Sequence, residues 1–165
     1  MSRIYSVRSA VCIGSLLVGL VTGCSNSSDP ESALASVNET NLQRLANLYF
    51  TFQSKHEWRG PRDETEFKAF LRSYNPAKLK RIGIDPGGID ALFICERDGE
   101  PFKIRYGVAG SVMGSSEPVV FESTGDGGKC LVGFLNMQQR EVDAAEYDSL
   151  WSAAAPQSPQ REDRQ

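Results

Sequence analysis

Apolar residues along the chain change their spacing twice. Near the start, Ala10 to Val21 is a nearly unbroken apolar run, relieved only by Gly14, Ser15 and Gly19. Later the spacing becomes helical: Leu42, Leu45, Ala46, Tyr49 and Phe52 fall at i, i+3, i+4, i+7 and i+10. That is one stripe of an amphipathic helix ending near Lys55. Thr40-Asn41-Leu42-Gln43 has the spacing of a capping box, which marks its start. Leu48 and Phe50 widen the stripe and predict deep burial. Trp58-Arg59-Gly60-Pro61 is a break. Asp63 to Glu66 then fits a second capped start, with Phe67, Phe70, Leu71 and Tyr74 inward and Glu64, Lys68 and Arg72 toward water. Asn75-Pro76 ends that helix, Pro76 to Ile82 reads as a further short helical turn, and Asp85-Pro86-Gly87-Gly88 as a loop.

From Leu92 the period becomes two. Leu92 to Glu96 and Phe102 to Val108, joined through Arg97-Asp98-Gly99-Glu100, read as a hairpin. With Asp98-Gly99 as the loop residues, Cys95 lies opposite Phe102 and Phe93 opposite Ile104 on the apolar face. Lys103 and Arg105 then face solvent. Ala109 to Pro118 is a small, polar connection. Val119 to Glu122 and Cys130 to Leu135 are two more strands around Thr124-Gly125-Asp126-Gly127-Gly128. Asp143 to Trp151 is a short closing helix, with Asp143 as N-cap and Tyr147, Leu150 and Trp151 inward. Helices first and antiparallel strands after predict an α+β domain. Its N-terminal amphipathic helices pack on one face of a small antiparallel β-sheet, and a short C-terminal helix follows.

The first apolar run is too short to cross a bilayer, which needs about 20 apolar residues. Arg3 and Arg8 precede it, as in a secretory signal peptide. Val21-Thr22-Gly23-Cys24 resembles the lipobox of bacterial lipoproteins. That resemblance implies cleavage after residue 23 and acylation of Cys24, giving a membrane anchor through palmitate-type chains. Two or more chains hold a protein stably to a membrane. With Ser25 rather than Asp at the second mature position, the resemblance implies a periplasm-facing protein of the cell outer membrane rather than the inner one. The division expected is a signal peptide over 1–23, an anchored, flexible tether over 24–38, one domain over 39–152 and a frayed tail over 153–165.

Loss of 1–23 leaves 142 of 165 residues, enough for one domain, and shifts the net charge from −3 to −5 because only Arg3 and Arg8 leave. A mildly acidic chain without a basic stripe argues against nucleic acid as a partner. Of four cysteines, Cys95 and Cys130 remain once Cys12 is cleaved off and Cys24 acylated. In an oxidising compartment they either form a disulfide or stay as two separate buried thiols.

Tests for chemistry return little. The one histidine, His56, is followed by Glu57 without a second histidine four residues on, so the zinc-protease pattern fails. No G-x-S-x-G elbow or Ser-x-x-Lys pair occurs. Gly125-Asp126-Gly127-Gly128-Lys129 lacks phosphate-loop spacing and leads into a strand. Asp126 alone is too few ligands for a calcium ion. Asp85, Asp90, Glu96 and Asp98 would need a cleft to do acid–base work, and Lys78, Lys80 and Arg81 read as a wet helix face. No catalytic residue, metal site or cofactor is expected.

Two stretches resemble the soluble domains of type II secretion pseudopilins and related pilin-like proteins. Asn41-Leu42-Gln43-Arg44-Leu45-Ala46 through Gly60-Pro61 to Phe67-Lys68-Ala69-Phe70-Leu71 is similar to their helix, break and second helix. Leu131-Val132-Gly133-Phe134-Leu135 through Val142-Asp143 to Glu146-Tyr147 and Leu150 is similar to their last strand and closing segment. The family implies a helix on an antiparallel sheet. It departs here in that the apolar run precedes a lipobox, so the polymerising helix would be lost. The expectation is a non-enzymatic, lipid-anchored envelope protein that binds an envelope protein or polysaccharide. The alternatives are an accessory component of a secretion apparatus and a small envelope hydrolase.

Overall fold

A computed structural model describes residues 38–110 and 115–153. The signal segment, Cys24, the tether as far as residue 37 and the tail from residue 154 lie outside the described residues. Helix α1 (Asn41–Lys55) starts on the expected capping box. The Gln43 N–H donates to the Thr40 hydroxyl oxygen, and Gln43 Oε1 accepts from the Thr40 N–H, both at 3.2 Å. Its whole stripe, Leu42, Leu45, Ala46, Tyr49 and Phe52, is buried, with Leu48 beside it.

The end of α1 is closed by main-chain bonding. The Trp58 N–H reaches back to the Gln53 carbonyl at 2.9 Å, which forces Glu57 to φ 55°. This is the position that a helix C-terminus ordinarily gives to glycine, because a Cβ there costs about 1 kcal/mol. The connection that follows is pinned to a distant segment. The Gly107 and Gly110 N–H groups donate to the carbonyls of Pro61 and Trp58, and the Val108 N–H to Tyr49 Oη.

Helix α2 (Glu64–Ser73) is capped by Asp63, whose carboxylate accepts from the Glu66 N–H at 2.8 Å. Phe67 and Leu71 are its buried residues, and Phe70 and Tyr74 pack on the core half-buried. Helix α3 (Pro76–Arg81) carries proline at its first position and is capped by Asn75. A 3₁₀-helix covers Ile89–Phe93, where a strand beginning at Leu92 is predicted. Leu92 and Phe93 are both buried although adjacent, which a one-sided strand cannot achieve. With Ile89 they make an i, i+3, i+4 set instead.

The sheet is antiparallel in the order β1 (Lys103–Ile104), β2 (Pro118–Phe121), β3 (Lys129–Phe134), β4 (Gln139–Asp143), followed by helix α4 (Ala144–Ala153). The α+β class holds. The hairpin register is corrected by two residues, which leaves each side chain on its expected face: Ile94 bridges Pro101, and the Phe102 N–H donates to the Phe93 carbonyl. Four residues, Glu96 to Gly99, therefore make the loop, centred one residue earlier than expected, and within it the Asp98 carboxylate accepts from the Glu100 N–H at 3.0 Å. Cys95, Phe93, Phe102 and Ile104 are all buried nonetheless. Strand β4 matches no predicted element. Its one buried residue is Val142, and Arg140 and Glu141 stand exposed along this sheet edge.

Helices cover both faces of the sheet, not one. Helix α1 lies over β2 and β3, and a Cβ on Gly133 would come within 2.7 Å of Leu42 Cδ2. Bare backbone at that point is what lets the helix sit close. An irregularity in β2 between Pro118 and Val120 turns both Val119 and Val120 toward this core. On the opposite face Phe121, Val132, Phe134 and Val142 form a second core under Tyr147 and Leu150 of α4. Asp143 caps α4 as predicted, accepting from the Glu146 N–H at 2.9 Å. Trp151 meets Phe121 edge-on at 5.0 Å but stays 40% exposed. The face expected to meet solvent is thus partly covered: Lys103 Nζ lies 5.6 Å from the Tyr147 ring centroid, and the Arg105 guanidinium tucks against the Pro118 carbonyl at 2.8 Å.

Replacing Glu57 by glycine relieves the left-handed backbone, and Glu57→Gly should raise the unfolding free energy by about 1 kcal/mol in urea denaturation. A second expectation concerns acid. Hydrogen bonds from the Arg59 guanidinium, then from the Arg62 N–H, hold the Glu66 carboxyl near 2, down from 4.5. A depressed carboxylate stabilises the fold above its unfolded pKa and loses that contribution as pH falls from about 4.5 through about 2. Side-chain NMR titration should place the Glu66 midpoint near 2, and Arg59→Ala should return it toward the ordinary value.

Candidate functional site

Two places concentrate polar side chains. The first is buried. Glu122 directly follows β2 and is 1% exposed. Its Oε2 accepts from the Leu131 N–H at 2.6 Å and from Arg97 Nη2 at 2.5 Å, and its Oε1 accepts from the Cys95 thiol at 3.1 Å. Arg97 also reaches Glu141 at 2.8 Å and the Lys129 carbonyl at 2.9 Å. The Glu122 main-chain carbonyl accepts from Tyr147 Oη at 2.8 Å. Each oxygen of this residue accepts a hydrogen bond and the side chain is shut off from solvent, so the cluster ties segments together and does not face a substrate. Burial pushes the Cys95 thiol up to about 11 and the Cys130 thiol upward as well. Neither is poised as a thiolate nucleophile.

Cys95 and Cys130 are both free thiols in this structure. Cys95 belongs to the core under α1. Cys130 pairs with Val142 and alternates with Leu131, so it shares the side of Val132 and Val142. The two thiols lie on opposite sides of the sheet. Cys24, the expected lipidation site, lies outside the described residues.

The four carboxylates of the stretch from Asp85 to Asp98 are not brought together. Asp85 accepts from the Gly87 N–H, Asp90 bridges Lys68 and Arg72, and Glu96 accepts from the Asn41 N–H beside Arg44. Asp98 binds the N–H groups of Glu100, Thr124 and Gly125. Two backbone N–H groups of the glycine-rich loop are thereby spent on Asp98, and Asp126 and Lys129 close that loop by mutual main-chain bonds. His56 stacks on Phe52 with ring centroids 4.0 Å apart. Among the described residues no group of three or more His, Cys, Asp or Glu side chains is placed to hold a metal ion. No helix among them is long and apolar enough to cross a membrane.

The second place is open. A groove of about 640 Å³ lies between the β3–β4 turn, α4 and the start of α1. Its lining carries carboxamides from Gln43, Asn136, Gln138 and Gln139, with the Ser116 hydroxyl, Phe134 and Leu150. Arg140 is the one formal charge, and it is held: its guanidinium stacks 5.3 Å from the Phe134 centroid and pairs with Glu146 at 2.8 Å. The turn is closed by Asn136, whose Oδ1 accepts from the Gln138 N–H, with Met137 at φ 64°. Sequence reasoning passed over this site. Its signal was the polar run Asn136 to Arg140, which no predicted element claimed.

No protein-family model, curated protein or solved structure matches this chain.

Arg97→Ala leaves the Glu122 carboxylate buried without its counter-charge and should cost about 3 kcal/mol of stability. Glu141→Ala, which removes only an exposed partner of the same arginine, should cost far less. Urea denaturation of the two variants gives the comparison.

Proposed function

We propose that this chain is a lipid-anchored, non-enzymatic protein of the bacterial envelope, and that its domain binds a neutral polysaccharide in the groove beside the β3–β4 turn. The anchor reading comes from the lipobox resemblance ending at Cys24. The single observation that carries the binding reading is the groove's lining: four carboxamides and a hydroxyl around apolar side chains, with its one charge neutralised internally. Carboxamides donate and accept at once, which suits a hydroxyl-rich chain better than a charged ligand. Nothing in the lining offers a nucleophile beside a base, which favours holding over turnover. An outer-membrane address and the tether over 24–38 would let such a domain reach polymer in the periplasm.

The test is co-sedimentation of the full lipidated protein with isolated cell-wall polysaccharide, alongside a Gln138→Ala/Gln139→Ala variant. Binding by the parent and a loss of about tenfold in the variant, at unchanged melting temperature, is the expected outcome, two hydrogen bonds at about 1 kcal/mol each being sufficient. Equal retention of both proteins, or of neither, overturns the groove as the binding site.

A further inference from the structure

Between α1 and α3 runs a narrow crevice of about 180 Å³, away from the groove just described. Leu48 and Ile82 line it with apolar surface, while Asn47 flanks it from α1 and Lys78 and Arg81 from α3. Tyr74 also lines it, with Lys55 Nζ 4.7 Å from its ring centroid. The arginine here differs from the other described arginines. Arg44, Arg59, Arg62, Arg72, Arg97, Arg105 and Arg140 each lie within 4.0 Å of a carboxylate oxygen. Among the described residues Arg81 is the arginine left without an ion pair, and Lys55, Lys78 and Lys80 have none either. The nearest acid along the chain, Asp85, turns its carboxylate to the Gly87 N–H. Their position in the last turn of α3 suits cations facing helix carbonyls. It does not account for a crevice between them and α1.

The chain supplies the second observation. Asn47 Nδ2, on the crevice wall, donates to Asn38 Oδ1 at 3.1 Å. The first described residue therefore lies beside this crevice, and Cys24 stands only 14 positions earlier in the chain. Fourteen residues of chain can span at most about 50 Å. An anchor at Cys24 would hold this side of the domain near the bilayer surface, where unneutralised cations meet anionic headgroups.

We propose that the crevice between α1 and α3 binds the phosphate of an anionic phospholipid headgroup, with Lys78 and Arg81 as the pairing cations and Asn47 beside them. The proposal rests on the lipid-anchored reading and adds an orientation to it, with the α1–α3 side toward the membrane and the β3–β4 groove free to meet its ligand.

The experiment uses the full lipidated chain, isotopically labelled and held in a neutral maltoside detergent. Phosphatidylglycerol, phosphatidylcholine and inorganic phosphate are titrated separately while amide and side-chain NMR signals are followed. Saturable shifts at Asn47, Tyr74, Lys78 and Arg81 with phosphatidylglycerol, at least about tenfold weaker with phosphatidylcholine, are expected. A Lys78→Gln/Arg81→Gln variant should lose them by a similar factor while its melting temperature holds, both side chains being exposed. Shifts with inorganic phosphate but not phosphatidylglycerol, shifts confined to other surfaces, or no shifts at all each overturn the proposal. The intact mass of the same preparation reports separately on Cys24, so an unmodified thiol would sink the anchor without deciding the crevice.

Discussion

A single carboxylate that never meets water holds the layers of this protein in register. Glu122 replaces a main-chain acceptor for the Leu131 N–H, draws Arg97 and Cys95 of the preceding hairpin onto the sheet, and offers its own carbonyl to Tyr147 of α4. Through Arg97 the link continues to Glu141 on β4. Hairpin, β2, β3, β4 and closing helix meet at one residue. A buried charge in low-dielectric surroundings is costly unless its bonds are complete. Any partial separation of these elements would strip a partner from it, so they are expected to open together.

Around that point the hydrophobic layers are simple. Helix α1 contributes its full stripe to one core, and the absence of a side chain at Gly133 brings it down onto β3. Helix α4 closes the other face over Phe121 and Phe134. The carboxamide groove forms where the start of α1, the β3–β4 turn and α4 converge, so both cores fix its walls. The cationic crevice sits instead between α1 and α3, on elements that the sheet supports only through α1.

What was legible in the sequence is what short-range chemistry dictates. Thr40 and Gln43 form their reciprocal cap, Asp63 and Asp143 accept where N-caps should, and the 3.6-residue stripe from Leu42 to Phe52 is buried throughout. Errors arise where a neighbour distant in the chain decides. The hairpin register shifts because Asp98 bonds Thr124 and Gly125 as well as its own turn. Strand β4 escapes notice because an edge strand with one buried residue carries no apolar alternation. The second layer escapes because nothing local says that Tyr147 and Leu150 cross to the far side of the sheet. The same reason hid both candidate sites: Gln43, Ser116, Gln138 and Leu150 share no periodicity, and neither do Asn47 and Arg81.

The sheet's margins carry a consequence for a protein crowded on any surface. Its outer strand at one side is only two residues long, and at the other it presents Arg140 and Glu141, each already paired within its own molecule. Neither margin gives an incoming strand a long, flat, neutral template for main-chain pairing. Copies brought close together can collide often and still resist polymerising through their sheets.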